Sequence, residues 1–247
     1  MEYYNTIPIA EVRTIFLDYD GTLHDSLKIY ARAFKKAYAY LVREGLAEER
    51  EWSDKEISYW LGYNAKDMWK DFKPDLGPEL RQYCSNMIGS EMKRLIEEGE
   101  PVLYEGALDT LAYLKNKGYQ LVFISNCNYY YMDNHRKLFR LDRYFKDFIC
   151  SEDHGFLPKY EILNSMKSRY KEKMVIVGDR KQDMEAGSRN GIYTIGCKYG
   201  YARKDELKEA DILIDRISDL LNLFNYLNPI AAIYIFVITR LIQIFYS

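Results

Sequence analysis

The chain has 247 residues, of which 48% are hydrophobic and 29% are charged, as in an ordinary soluble globular protein. This length allows one large domain, or one domain with a second built into it. The 35 basic and 37 acidic side chains give a formal net charge of −2, which provides no electrostatic reason to expect nucleic-acid binding. The four cysteines are widely spaced without a metal-binding pattern, and residues 1–13 lack the features of a secretory signal, so we expect reduced thiols and a cytoplasmic location.

A short apolar run at residues 15–17 predicts a strand that is buried on both faces. Two carboxylates, Asp18 and Asp20, follow this strand, and they would repel each other unless a cation lay between them. Gly21 allows a sharp turn and a close approach to a ligand, and Thr22 adds a hydroxyl group and another backbone donor. The stretch therefore predicts a magnesium site with a phosphate cradle beside it.

Residues 25–103 predict an all-helical insert that contains no strand. The segment 26–41 has apolar residues at spacings of three and four, which is typical of an amphipathic helix, and Ser26 is a suitable N-cap. Further helices are expected at 54–61, 65–72 and 78–98.

Beyond Pro101, segments with strand character alternate with helical segments. Strands are expected at 119–124, 148–150, 174–177, 192–195 and 212–214, and helices at 106–117, 134–141, 160–170 and 182–190. This alternation predicts an α/β fold with a parallel, Rossmann-like sheet covered by helices on both faces. In this scheme residues 1–24 and 104–228 form the core domain, into which residues 25–103 are inserted.

The last segment, 229–247, is more apolar than the rest of the chain. It is slightly short for a membrane span, which needs about 20 apolar residues. We favour a helix that docks on the protein or at a dimer contact. A membrane contact and a poorly ordered or non-native extension are the alternatives.

Polar residues are predicted at the carboxyl ends of the strands, where open α/β sheets bind their ligands. They are Asp18, Asp20, Ser125, Asn126, Asp179 and Asp183. Lys159 precedes a helix in the segment after the third strand. Several acids, one lysine and small hydroxyl or amide groups suit a magnesium-assisted phosphoryl transfer. His24, His135 and His154 are expected to be surface or structural residues.

Four motifs in this set resemble those of the haloacid dehalogenase superfamily of phosphohydrolases. Residues 18–23 match Asp-x-Asp-Gly-Thr-Leu, Ser125 follows an apolar strand, Lys159 lies some thirty residues on, and residues 178–183 match Gly-Asp-x-x-x-Asp. The motifs span about residues 12–220. The long interval between the first motif and the second is similar to that of members with an inserted helical C1-type cap, such as phosphoglycolate phosphatases. Two departures are Tyr160, where the family usually has proline, and Arg180, where many members have serine or threonine.

The resemblance implies a role for each acid. Asp18 would attack phosphorus and form an aspartyl-phosphate, and Asp20 would protonate the leaving group and then activate water. Neighbouring acids are expected to raise the pKa of Asp20. Magnesium would be held by Asp18, the backbone carbonyl of Asp20 and Asp179, with Asp183 assisting through water.

The resemblance also implies a phosphate-binding set and a cap that closes over the site. The phosphate-binding residues would be Gly21, Thr22, Ser125, Asn126 and Lys159. Within the cap, the break at residues 61–66 offers Tyr63, Asn64 and Lys66 as specificity residues, unless it is an ordinary turn between helices.

We therefore expect a magnesium-dependent phosphatase, monomeric or homodimeric, that acts on a small phosphorylated metabolite. A phosphomutase with the same cap is the main alternative, and it would transfer the group to a sugar phosphate in preference to water. A haloacid dehalogenase would not need a second acid at Asp20. A non-catalytic, phosphate-binding regulatory module is the remaining alternative.

Overall fold

The computed structural model of the chain describes residues 9–62 and 65–225, and within them six parallel strands form one sheet. The strands are β1 (Thr14–Leu17), β2 (Gln120–Ser125), β3 (Asp147–Cys150), β4 (Met174–Gly178), β5 (Tyr193–Cys197) and β6 (Ile212–Ile214). Their order across the sheet is β3-β2-β1-β4-β5-β6. The predicted α/β fold with a parallel sheet is confirmed.

The helices of the described residues lie between and after these strands. They are α1 (Leu27–Arg43), α2 (Asp54–Ser58), α3 (Ala65–Phe72), α4 (Pro78–Glu97), α5 (Ala107–Asn116), α6 (Tyr129–Leu138), α7 (Lys159–Met166), α8 (Lys181–Ser188) and α9 (Asp219–Leu223). Four of them, α1 to α4, follow β1 without an intervening strand, as the sequence predicts.

Strand β1 lies at the centre of the sheet, and all four of its residues are buried. Its register pairs Phe16 with Val122 of β2 and with Ile176 of β4. Ile15 and Leu17 join the apolar cluster formed with α5, α6 and α9, whereas Phe16 packs in the cluster formed with α7 and α8. Alternate side chains of β1 thus fill the two layers between sheet and helices, which explains its continuous apolar sequence.

Helices α1 to α4 enclose an apolar cluster of their own, separate from those of the sheet. Phe34 lies at its centre, with its ring centroid 5.4 Å from that of Trp52, 5.5 Å from Trp60 and 5.2 Å from Phe72. Such aromatic pairs contribute about 0.5–1.5 kcal/mol each beyond their burial. The division of the chain into a core and a cap at these boundaries stays a prediction.

Several helix ends differ from the predicted ones for local reasons. Helix α6 begins at Tyr129 instead of 134, because the Asn128 side chain accepts a hydrogen bond from the Tyr131 amide at 2.8 Å and caps the helix. Ser26 precedes α1 but makes no capping bond with its side chain. The amide of Leu27 donates to the Tyr201 hydroxyl at 3.0 Å instead.

Two predictions fall wholly or partly outside the described residues. Tyr63 and Asn64 of the expected specificity loop lie there, and so does the apolar tail 229–247. Within residues 9–62 and 65–225, no helix combines the length and the apolar character needed to cross a membrane.

Candidate active site

Three buried acids meet at the carboxyl ends of β1 and β4. The Asp18 amide donates to the Val177 carbonyl at 2.9 Å, so the residues that leave the two strands stay side by side. Asp179 follows β4, and Asp183 lies in the first turn of α8. One carboxylate oxygen from each of the three acids lies within 4.8 Å of the others.

Lys159 lies between two of these acids. It is the first residue of α7 and is almost fully buried. Its Nζ donates to Asp18 Oδ1 at 2.7 Å and to Asp183 Oδ1 at 2.5 Å. Burial alone would lower the pKa of Lys159, but the two carboxylates outweigh it and raise this pKa, so the ammonium group stays charged.

Keeping Asp18 and Asp179 ionised in this position costs free energy. Burial, and then the charge of Asp183, raise the pKa of Asp18 to about 7 against the opposing effect of Lys159. Burial and the charges of Asp18 and Asp183 also raise the pKa of Asp179 well above its usual value. A cation among the three carboxylates would remove this repulsion.

Three glycines lie so close to the acids that a residue with a side chain would not fit in their place. A Cβ at Gly21 or Gly200 would overlap the Asp179 side chain, and a Cβ at Gly178 would overlap that of Asp183. Gly21 also has a φ of +81°, in the left-handed region that favours glycine. The backbone therefore encloses Asp179 closely from two sides.

The donor set fits a hard divalent cation. Asp179 Oδ2 accepts from the Tyr201 amide at 2.6 Å, whereas its buried Oδ1 has no hydrogen-bond partner among the described residues. An unsatisfied buried carboxylate oxygen beside two further carboxylates is an arrangement that magnesium can complete.

Asp20 has a different environment from the other acids. Its Oδ1 accepts from the Tyr131 hydroxyl at 2.7 Å and lies 2.8 Å from His24 Nδ1, and its side chain is 35% exposed. Burial acts to raise the pKa of Asp20, but the bonds from His24 and Tyr131 outweigh it, and this pKa lies below its usual value. The expectation of a raised pKa is therefore wrong for this structure, because hydrogen-bond donors and not acids are the nearest neighbours.

The histidines beside Asp20 are a feature that the sequence analysis missed. His24 and His135 are fully buried, with ring centroids 4.6 Å apart. Tyr19 stacks on His24, and its hydroxyl lies 2.6 Å from His135 Nδ1. The spacing of four residues between Asp20 and His24 was the one sequence signal for their contact. Nothing in the sequence indicated that Tyr131 would complete it.

The residues expected to bind phosphate differ in their accessibility. Ser125 is buried at the end of β2, and Asn126 beside it is exposed. The amides of Gly21 and Thr22 donate to the carbonyls of His24 at 2.9 Å and Tyr19 at 3.2 Å. In this structure the turn itself uses both amides, and their role in holding phosphoryl oxygens stays a prediction.

The remaining expected residue of the cap, Lys66, is exposed near the start of α3. The structure therefore brings together Asp18, Lys159, Asp179 and Asp183, with Asp20 and Ser125 at the neighbouring strand ends.

Comparison with known proteins gives a consistent result. A family model described as haloacid dehalogenase-like hydrolase matches residues 15–197. The chain is 22% identical over 218 residues to the pyrophosphatase PpaX of Listeria welshimeri, covering 86% of this chain and 96% of that protein. It is 26% identical over 226 residues to a phosphoglycolate phosphatase of Aquifex aeolicus, covering 87% of this chain and 97% of that protein.

A solved structure shares the fold. It is a haloacid dehalogenase-like family hydrolase from Streptococcus pneumoniae, with a TM-score of 0.70, 20% identity, and coverage of 86% of this chain and 98% of that one. The family match over most of the chain confirms the resemblance seen in the four motifs: this chain belongs to the haloacid dehalogenase-like hydrolases.

Proposed function

We propose that this protein is a magnesium-dependent phosphatase that hydrolyses a small phosphorylated metabolite through an aspartyl-phosphate. The observation that carries the proposal is the position of Asp18, which is buried among Lys159, Asp179 and Asp183. The ammonium group of Lys159 would offset the charge that develops when a phosphoryl group meets this carboxylate.

In the first half of the proposed reaction, an oxygen of Asp18 attacks phosphorus. The bond to the leaving alkoxide breaks as the new acyl-phosphate bond forms. Lys159 lies 2.7 Å from Asp18, so it orients the carboxylate and carries positive charge to the reacting centre. Asp18, Asp179 and Asp183, with the Asp20 carbonyl, would hold magnesium, which supplies charge neutralisation for the phosphoryl oxygens.

In the second half, water attacks phosphorus and releases Asp18. Asp20 gives its proton to the alkoxide in the first half and takes one from this water in the second. Its low pKa keeps the carboxylate ionised in the free protein, and the negative charge of a bound phosphoryl group would raise this pKa towards the value that proton transfer needs. Tyr131 and His24 hold the carboxylate in place between the two steps.

The substrate class is proposed from two kinds of support. The relatives named above are a pyrophosphatase and a phosphoglycolate phosphatase, so both are named for small phosphorylated compounds. The helices α1 to α4 follow directly after the first motif, where they can cover the site and exclude bulk water.

The test is a screen of small phosphate esters and pyrophosphate, with magnesium and with excess chelator, using wild-type protein and Asp18→Asn. We expect phosphate release that requires magnesium and falls by several orders of magnitude in Asp18→Asn, because an amide does not attack phosphorus. Activity of Asp18→Asn close to wild type would remove the covalent mechanism. Full wild-type activity in chelator would remove the metal requirement.

A further inference from the structure

Three charged side chains meet where the helices α1 to α4 contact the sheet domain. Arg180 Nε and Nη2 donate to the Glu206 carboxylate at 2.8 and 3.2 Å, and Arg203 Nε lies 3.9 Å from the same carboxylate. Their side chains are mostly buried, with exposed fractions of 10% for Arg180, 15% for Glu206 and 29% for Arg203. One carboxylate thus holds two guanidinium groups.

Both arginines reach from this carboxylate to the turn that follows α2. Arg180 Nη1 donates to the carbonyl of Leu61, and Arg203 Nη2 donates to the carbonyl of Tyr59 at 2.9 Å. The Arg203 guanidinium also lies 4.1 Å from the centroid of the Tyr59 ring. The planar fork of arginine allows each side chain to bind carboxylate and carbonyl at the same time.

The turn itself is shaped for this contact. Gly62 has a φ of +86°, and a Cβ there would approach Arg180 Nη1 too closely. A residue with a side chain would be strained at this φ and would push the guanidinium away. The close approach of Arg180 therefore depends on glycine at this position.

The loop after β4, which carries Arg180, and the loop after β5, which carries Arg203, also contact the acids of the candidate site. The Arg180 amide donates to Asp183 Oδ2 at 3.0 Å, and the Tyr201 amide donates to Asp179 Oδ2 at 2.6 Å. The Tyr201 hydroxyl donates to Asp25 at 2.9 Å, just before α1. The loops that place the acids therefore hold the helical insert at two points.

We propose that Arg180, Arg203 and Glu206 form a clamp that positions the turn 59–62 of the helical insert against the candidate active site. Exposed ion pairs contribute little to such contacts, but these side chains are largely buried, and Arg180 binds the Glu206 carboxylate through two nitrogens. Arg203 and Glu206 act on catalysis through the turn and are positioning residues. Arg180 has the same role, although its backbone also supports Asp183.

The main test measures hydrogen exchange of the free protein and needs no substrate. Glu206→Gln removes the charge that holds both arginines, and Arg203→Lys removes one fork while keeping its charge. We expect the amides of Tyr59, Trp60 and Leu61 to exchange about tenfold faster in both variants, with strand amides unchanged. Glu185→Gln is the matched control, because it removes one carboxylate from a partly exposed ion pair between α8 and Arg189, which follows that helix.

Unchanged exchange at these amides in both variants would overturn the clamp, whether or not the protein is a phosphatase. The kinetic arm rests on the proposed function and uses the best ester from the screen. We expect Arg203→Lys to raise KM about tenfold with kcat nearly unchanged, because the turn is held less firmly while the acids keep their positions. A fall in kcat at constant KM would contradict a role through the turn.

Discussion

At the scale of single residues, Asp20 has two hydrogen-bonding partners, Tyr131 and His24. Removing the Tyr131 hydroxyl should raise the pKa of Asp20, because that bond stabilises the charged carboxylate. For Tyr131→Phe we therefore predict that the alkaline limb of the profile of kcat against pH, which reports loss of the acid's proton in the substrate complex, moves to higher pH. The measurement is a pH–rate profile with an alkyl phosphate.

The adjacent Tyr130 provides the control for this variant. Its hydroxyl donates to Glu97 at 3.0 Å on the exposed side of α6. Tyr130→Phe should leave the profile where it is in the wild type. If the alkaline limb moved to lower pH in Tyr131→Phe, or moved equally in the two variants, the Tyr131 hydroxyl would not be lowering the pKa of Asp20.

The sequence predicts which residues form the site better than it predicts the contacts between them. Asp18 and Asp179 were predictable because each follows a buried apolar strand, and parallel strands bring their ends together. Lys159 was placed by its motif, but its double contact with Asp18 and Asp183 depends on how α7 packs on the sheet. The bond from Tyr131 depends in the same way on where α6 lies.

At the scale of elements, the loop after β5 is as important as the strands. Gly200 lies in this loop and contacts Asp179 so closely that a Cβ would overlap the carboxylate. We predict that Gly200→Ala displaces Asp179 and weakens magnesium binding by at least tenfold, measured as the magnesium concentration that gives half-maximal activity. Gly89→Ala on α4, where a Cβ meets open space, should leave this concentration unchanged. Equal magnesium requirements in the two variants would contradict the close packing.

The ends of helices and strands are only partly predictable from the sequence. Helix α3 and strand β6 have the predicted bounds, because their apolar patterns are bounded by clear breaks. The start of α6 was missed since Tyr129 to Tyr131 are aromatic residues, which favour strands, and the capping bond of Asn128 decides otherwise.

At the scale of the whole molecule, His135 makes stability depend on pH. Burial and the neighbouring His24 lower its pKa from the usual 6.5 to about 3. The folded state thus favours the neutral ring, so its contribution to stability is complete above pH 6.5 and is lost as the pH falls towards 3. We predict that thermal unfolding shows this loss in the wild type and that His135→Gln reduces it. His154→Gln at a partly exposed position is the control, and an equal acid loss in wild type and His135→Gln would contradict the assignment.

The acids of the candidate site affect stability in the opposite sense. Burial and mutual repulsion raise the pKa values of Asp18 and Asp179 above those of the unfolded chain. Because the pKa of each carboxyl is higher in the folded state, the protein loses stability as the pH rises from the unfolded-state pKa through the folded-state pKa. At neutral pH the metal-free protein is therefore less stable than it would be without these charges. Magnesium should offset it, and binding at 100 times the dissociation constant would add about 2.7 kcal/mol.

Asp179→Asn separates the two effects, because it removes one buried charge and one metal ligand together. In excess chelator we predict that this variant unfolds at a higher temperature than the wild type, by an amount corresponding to roughly 1–3 kcal/mol. With saturating magnesium, the wild type should gain roughly 5–10 °C and the variant little or nothing. The order of the two melting temperatures would then reverse between the conditions. If magnesium raised both melting temperatures equally, Asp179 would not be a ligand. If the wild type remained the more stable of the two proteins in chelator, repulsion among the acids would not be the cost that the cation relieves.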